Sequence, residues 1–205
     1  MDRDFWRSSW ERADRARIAA YLAAAGAEPD PLIALLRDMG AHTVCDAGCG
    51  CGALSAALLR AGFAVSGFDT APAAVELARL AAPGAALKTA DVCDTGYASG
   101  MFDAVVCRDV LDHMTVADAR RALAELLRIT RPGGLVVFTV DAADGEYDRE
   151  PHIVSADGDR LYTAGKWAGM VFHPYTRAAL AGLIPPGPEW EIRESGDGLT
   201  VLLRP

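Results

Sequence analysis

No stretch of this 205-residue chain stays apolar long enough to span a bilayer. The N-terminal run Met1-Asp2-Arg3-Asp4-Phe5-Trp6-Arg7 lacks the hydrophobic centre of a secretory signal. A soluble, cytoplasmic protein without a membrane partner is expected. Positive charge is also short, with 20 Lys and Arg against 28 Asp and Glu and a formal net charge of −8. That balance argues against nonspecific binding to nucleic acid or anionic lipid. Of only five cysteines, three crowd between Cys45 and Cys51, which is no secreted disulfide framework. Their spacing, Cys45-x3-Cys49-x-Cys51, also misses the Cys-x3-Cys-x2-Cys run of iron–sulfur enzymes. No metal is expected, and Cys45 and Cys107 suit small buried apolar positions. Internal repeats and low-complexity tracts are absent.

What is present is a globular composition, 51% hydrophobic, over a length that fits one domain with a sizeable core. The chain is organised around Val44-Cys45-Asp46-Ala47-Gly48-Cys49-Gly50-Cys51-Gly52. It reads as a buried strand breaking into a glycine turn and opening a helix. Leu54, Ala57, Leu58 and Ala61 then recur at helical spacing. Such a turn tolerates positive φ and lets a ligand approach the backbone. It is expected to offer backbone N–H groups at a helix N-terminus, where negative ligand groups bind. Gly48-x-Gly50-x-x-Ala53, with Asp69 following, fits the Gly/Ala form of the dinucleotide fingerprint. Asp46, two residues ahead of the first glycine, points elsewhere.

Asp46-Ala-Gly48-Cys49-Gly50-Cys-Gly resembles the first motif of the class I S-adenosylmethionine-dependent methyltransferases. The resemblance implies that Asp46 lies near the cofactor's cationic amino acid end, with Gly48, Cys49 and Gly50 beneath its methionine and ribose. A carboxylate beside the turn suits sulfonium and ammonium charge better than an anionic pyrophosphate. The resemblance continues in order along the chain. Ala64 to Asp69 reads as a second strand ending in a carboxylate that, in the family, bonds the ribose hydroxyls. Thr70 is expected to cap the next helix and to border the cofactor. Asp91 matches the residue that accepts from the adenine amino group, with Val92 offering its N–H; Asp94 is a rival. Met101 to Asp109 reads as a strand buried on both faces, with Arg108 on the cofactor side. Leu111-Asp112-His113-Met114 then resembles the family's fourth motif, which borders cofactor and acceptor. Arg131-Pro132-Gly133-Gly134 reads as a turn before a central strand, Leu135 to Val140. The resemblance spans Val44 to Asp141, about half the chain.

The flanks are read from pattern. Arg3 to Gly26 is expected to be helical, with Ile18, Tyr21, Leu22 and Ala25 on one face. Trp6 and Trp10 lie a turn apart; packing on the domain is the safer reading, cover over a pocket the other. Asp30-Pro31 starts a further helix, with Leu32, Leu35, Leu36 and Met39 as its stripe. Thr115-x-x-Asp118 is a helix N-cap signature. Asp141 to Val171 is long, polar and rich in turns, but it carries Tyr162, Lys166, Trp167 and Met170. It reads as an acceptor-binding segment within 141–175. Trp190 to Ser195 and Leu199 to Leu203, around Gly196-Asp197-Gly198, form a terminal hairpin. The expected architecture is a single α/β domain over 1–205. It has three layers, with N-terminal helices over 1–40. Its doubly wound, seven-stranded, mostly parallel sheet ends in that antiparallel hairpin.

The implied activity is methyl transfer from S-adenosylmethionine to a small-molecule acceptor, leaving S-adenosylhomocysteine. His113 is the first candidate base, with Asp112 and Asp141 at strand exits facing the same pocket. Tyr162, Trp167, His173 and Tyr175 are candidates for acceptor contact, and His152 is a weaker one. A noncatalytic S-adenosylmethionine-binding regulatory protein is the alternative. An NAD-dependent oxidoreductase loses on Asp46, Arg131 to Gly134 and the hairpin. Oligomeric state is left open by the sequence.

Overall fold

Strands that alternate with helices dictate the architecture. The computed structural model describes residues 3–24, 31–141, 149–195 and 198–205. Five parallel strands come first: β1 (Thr43–Ala47), β2 (Ala64–Asp69), β3 (Ala86–Thr89), β4 (Phe102–Arg108) and β5 (Thr130–Asp141). A terminal pair, β9 (Glu189–Ser195) and β10 (Gly198–Arg204), completes a seven-stranded sheet in the order β3-β2-β1-β4-β5-β10-β9. β10 runs antiparallel to both β5 and β9, as the hairpin signal predicts. Residues 196 and 197 of its turn lie outside the described residues.

Side-chain alternation explains the three layers. Along β4, Ala104 and Val106 face one core while Val105 and Cys107 face the other. The first core is closed by Leu32 and Leu36 of α3 (Pro31–Asp38) and Leu58 of α4 (Ala53–Arg60). The second is closed by Leu123 and Leu126 of α6 (Val116–Ile129) and Leu180 of α7 (Arg177–Leu183). Burial on both faces is what makes these strands near-continuous apolar runs. α5 (Pro72–Ala81) packs beside α4. Thr115 caps α6 as its spacing predicts, its hydroxyl accepting from the Asp118 N–H at 3.2 Å. Cys45 and Cys107 are fully buried core residues.

Four expectations are corrected. The N-terminal helix is two helices, α1 (Arg3–Glu11) and α2 (Arg15–Ala24). Asp14 breaks it: its carboxylate accepts from the N–H groups of Ala16 and Arg17 at 2.8 and 3.3 Å, a cap that competes with helix continuation. Thr70 does not cap α5. The N-cap is Ala71, Pro72 opens the helix, and Asp69 Oδ1 holds the Ala71 N–H at 2.9 Å. Arg131 to Gly134 lies within β5 as a bulge: β4 steps from Phe102 to Ala104 while β5 steps from Thr130 to Leu135. Finally, the segment after β5 has its own three-stranded antiparallel sheet. Its strands are β6 (His152–Val154), β7 (Arg160–Tyr162) and β8 (Val171–Phe172), over a small core of Tyr162, Met170 and Phe172. Asp30, Ala25 and Gly26 lie outside the described residues. Among those described, no helix is long and apolar enough to cross a membrane.

Candidate functional site

The glycine turn leaves the carboxyl end of β1 and packs hard on what lies behind it. Gly52 sits at φ 84° at the N-cap of α4, and a Cβ there would fall 2.7 Å from the Ala78 Cα of α5. Gly48, at φ 76°, has Val110 in the space a Cβ would need. Four of the turn's amides, however, donate inside the protein. The N–H groups of Gly48 and Cys49 both donate to the Phe68 carbonyl, at 2.8 and 2.9 Å. The Gly50 N–H donates to Asp69 Oδ2 at 3.0 Å, and the Gly52 N–H to the Cys49 carbonyl at 2.8 Å. An anion-binding cradle is thereby left to the amides at the start of α4 rather than to these four. β2 runs so close to the turn that its last carbonyl and carboxylate take those donors first.

Two carboxylates flank the turn. Asp46 is buried and accepts the Ser55 hydroxyl at 2.6 Å. Burial pushes its carboxyl up to about 6, against the pull of that hydrogen bond and of Arg108. Asp69 is raised by burial too, offset by the amides of Ala71 and Gly50. Two cavities border these carboxylates, and a third adjoins them at Arg108 and Asp109. One, of about 200 Å³, is lined by Phe68, Asp69, Thr70, Ala90 and Val92, with Trp6 and Trp10 from α1 on its wall. A second, of about 600 Å³, runs from Asp46, Gly48 and Cys49 to Arg17, Ile18 and Tyr21 of α2. A third, of about 540 Å³, lies between α3 and the ends of β5, β9 and β10. Arg108 and Asp109 line all three.

Thus Asp46, Gly48, Cys49, Gly50, Asp69, Thr70, Val92 and Arg108 come together as predicted from sequence. Asp91 does not line these cavities; its Oδ1 accepts the Cys93 N–H at 2.9 Å in its own turn, while Ala90 and Val92 on either side do. Trp6 and Trp10 do more than pack. Trp10 lies 3.0 Å from where a Gly50 Cβ would be, and Trp6 meets the His113 ring edge-on at 4.7 Å.

Asp112, His113 and Asp141 converge, with potential ligand atoms all within 4.8 Å of one another, close enough for a shared cation. Their roles differ. Burial lowers His113 to about 4, so its imidazole is neutral at pH 7 and a weak base. Its ring packs between Trp6 and Phe172 and lines the smallest cavity. Asp112 is fully buried. Its Oδ2 accepts the Asp141 N–H at 2.9 Å and its carbonyl the His173 N–H at 2.7 Å. Its Oδ1 has no hydrogen-bond partner among the described residues. Burial, then the charges of Asp141 and Asp109, pushes this carboxyl up to about 7. Asp141 alone of the three lines the third cavity.

The aromatic candidates of the later segment are placed otherwise than expected. Tyr162 is 1% exposed, at the centre of the small sheet's core, and its ring contacts that of His152. His173 donates or accepts at Asp159 Oδ1, 2.9 Å away, and stacks near Tyr175. Trp167 packs toward Phe5 of α1. None of the four lines the cavities described above. The residue that sequence reading missed is Asp109. It holds φ 54°, rare for a residue with a side chain, and its Oδ1 accepts the Thr139 hydroxyl at 2.6 Å. Only its place at the exit of an apolar strand could have flagged it.

A methyltransferase-domain family profile matches residues 45–138. The chain is 33% identical over 154 residues to human methyltransferase-like protein 27, covering 72% of this chain and 60% of that protein. It is 27% identical over 168 residues to a malonyl-[acyl-carrier protein] O-methyltransferase of Serratia marcescens, covering 77% and 65%. It therefore spans less than two thirds of the length of either relative. Among solved structures, the 1,6-didemethyltoxoflavin-N1-methyltransferase of Burkholderia thailandensis superposes with a TM-score of 0.68 at 21% identity, over 98% of this chain and 86% of that one. That structure holds 1,6-didemethyltoxoflavin and S-adenosylhomocysteine.

Strand order, glycine turn and paired carboxylates together define a Rossmann-like methyltransferase fold. The chain has the fold of solved S-adenosylmethionine-dependent methyltransferases, and its residues 45–138 match a methyltransferase-domain profile.

Proposed function

We propose that this chain transfers the methyl group of S-adenosylmethionine to a small-molecule acceptor, as one domain over 1–205 with the 141–175 segment inserted in it. The observation that carries the reading is the meeting of three cavities at Arg108 and Asp109. The donor set suits this cofactor. Carboxylates stand at both ends of the turn, Asp69 where ribose hydroxyls would sit and Asp46 where an ammonium would. Four of the turn's amides, those of Gly48, Cys49, Gly50 and Gly52, already donate within the protein. When bound, the cofactor supplies an activated methyl group on a sulfonium.

The chain's residues then have to hold an acceptor in line with that carbon and keep water out. Trp6 and Trp10 wall the cofactor side. Asp109 and Asp141 stand on the acceptor side, where either can take a proton the acceptor loses. The 152–175 segment acts through others. Phe172 backs His113, the His173 N–H holds Asp112, and Trp167 supports α1. A noncatalytic binding protein would have no use for an open third cavity beside the reacting centre, which favours transfer. Five free thiols fit a reducing cytoplasm, and the net charge of −8 fits a partner other than nucleic acid.

The test is calorimetric titration with S-adenosylhomocysteine. Asp69→Ala should weaken binding by about 1.5–3 kcal/mol, roughly tenfold to a hundredfold, the scale of hydrogen bonds to a charged group. Unchanged affinity in a folded variant would remove Asp69 from the cofactor site.

A further inference from the structure

To the exits of β4 and β5 the third cavity adds α3 and the β9–β10 hairpin, which lie outside the methyltransferase motifs. It shares only Arg108 and Asp109 with the two cofactor-side cavities. At about 540 Å³ it is within the size range of small-molecule sites. Its apolar side comes from Leu32 and Leu35 of α3 and Leu199 of β10. Its charges are uneven. Arg108 acts on the Asp46 carboxylate, pulling it toward ionisation. The Arg193 guanidinium is held by Glu191 through two bonds of 2.9 and 2.8 Å. Three carboxylates, Asp109, Asp141 and Glu194, also line the wall. Asp109 is fixed by Thr139, and Asp141 stands against the buried Asp112.

We propose that this groove is the acceptor site and that it selects an acceptor with an apolar body and a protonated amine, the amine facing Asp141 and Asp109. The proposal rests on the methyl-transfer reading. It moves acceptor choice from the aromatic residues of 152–175 to α3 and the β9–β10 hairpin. A cation at the inner end meets carboxylates already in place. A carboxylate-bearing acceptor there would meet like charge without a free guanidinium to answer it.

The experiment compares tyramine, tyrosol and 4-hydroxyphenylacetate, which share a ring and differ in carrying a cationic, neutral or anionic end. Each is titrated into the full chain loaded with S-adenosylhomocysteine, in EDTA so that no divalent ion occupies the same carboxylates. Tyramine should bind roughly fivefold or more tighter than tyrosol, and 4-hydroxyphenylacetate weakest. Asp141→Asn should shrink the tyramine preference to about twofold or less, and Leu35→Trp should weaken all three by roughly tenfold while cofactor-product affinity holds. A flat ranking, an anion-first ranking, or no binding by any of the three overturns the proposal. So does a ranking unchanged in both variants. Failure of the wild-type chain to bind S-adenosylhomocysteine would instead overturn the methyl-transfer reading.

Discussion

Replacing Asp112 by Asn separates the charge of this buried residue from its shape. The amide oxygen can keep the 2.9 Å bond from the Asp141 N–H. The amide nitrogen takes the place of Oδ1, which has no partner among the described residues. In the native protein burial lifts the carboxyl from 3.8 to about 7. Between those values the native state holds a proton that the unfolded chain has lost. Stability therefore falls as pH rises through that window. A rise of about three pH units, at about 1.4 kcal/mol each, puts the cost on the order of 4 kcal/mol by pH 8. Asn carries no such cost. It carries instead about 1–3 kcal/mol for burying amide hydrogens without partners, and that penalty does not vary with pH. At pH 5 the variant should be no more stable than wild type. By pH 8 the difference should have moved in its favour by about 3 kcal/mol, the part of the ionisation cost that falls between pH 5 and 7. Asp46 titrates near 6 in both proteins and cancels in the comparison. Urea unfolding at the two pH values, with midpoint and slope both read, measures the change. A difference that stays constant with pH would refute the raised carboxyl and the burial argument behind it.

Gly52→Ala tests the close approach of α4 and α5. A Cβ 2.7 Å from the Ala78 Cα, on a residue at φ 84°, should cost on the order of 2–4 kcal/mol by thermal unfolding; a loss under about 1 kcal/mol would mean the helices give way freely. His113→Phe keeps a ring against Trp6 and Phe172. With His113 already neutral above about 4, turnover should stay within about tenfold and the neutral-pH rate profile should keep its shape. A fall of roughly a hundredfold with loss of the acidic limb would return the imidazole to the role of base.

The sheet was legible because each of its strands carries its own signal. Val44 to Ala47, Phe102 to Cys107 and Leu135 to Val140 are apolar on both faces, and only a strand covered twice needs that. Boundaries were less legible where a polar side chain competes with the backbone. Asp14 ends one helix and caps another, and Asp69, rather than Thr70, satisfies the first amide of α5. Periodicity alone gives no sign of either. The glycine turn is legible from its spacing; which of its amides stay open is not. A sequence cannot show that the Phe68 carbonyl and the Asp69 carboxylate reach the amides of Gly48, Cys49 and Gly50 before any ligand does.

The acceptor side shows why aromatic content is a poor guide to a binding surface. Tyr162, Trp167, His173 and Tyr175 are aromatic side chains of a long polar segment. The three-stranded sheet takes Tyr162 and Trp167 for its own small core, Tyr175 joins the main core, and His173 pairs with Asp159. Tyr162 opposes His152 across β6 and β7, with Met170 and Phe172 completing that core. What lines the third cavity is spread over three segments far apart in the chain: α3, the exit of β4 and β5, and the β9–β10 hairpin. No one of them has a spacing that distinguishes it from ordinary amphipathic structure. Their charge acquires meaning only when the fold sets Asp109, Asp141 and Glu194 on one wall and ties Arg193 to Glu191. Cofactor recognition can be written in a short motif because one turn and two strand ends carry it. On the proposed reading, acceptor recognition is a property of the assembled cavity, and its logic lies in the net charge and shape of that wall.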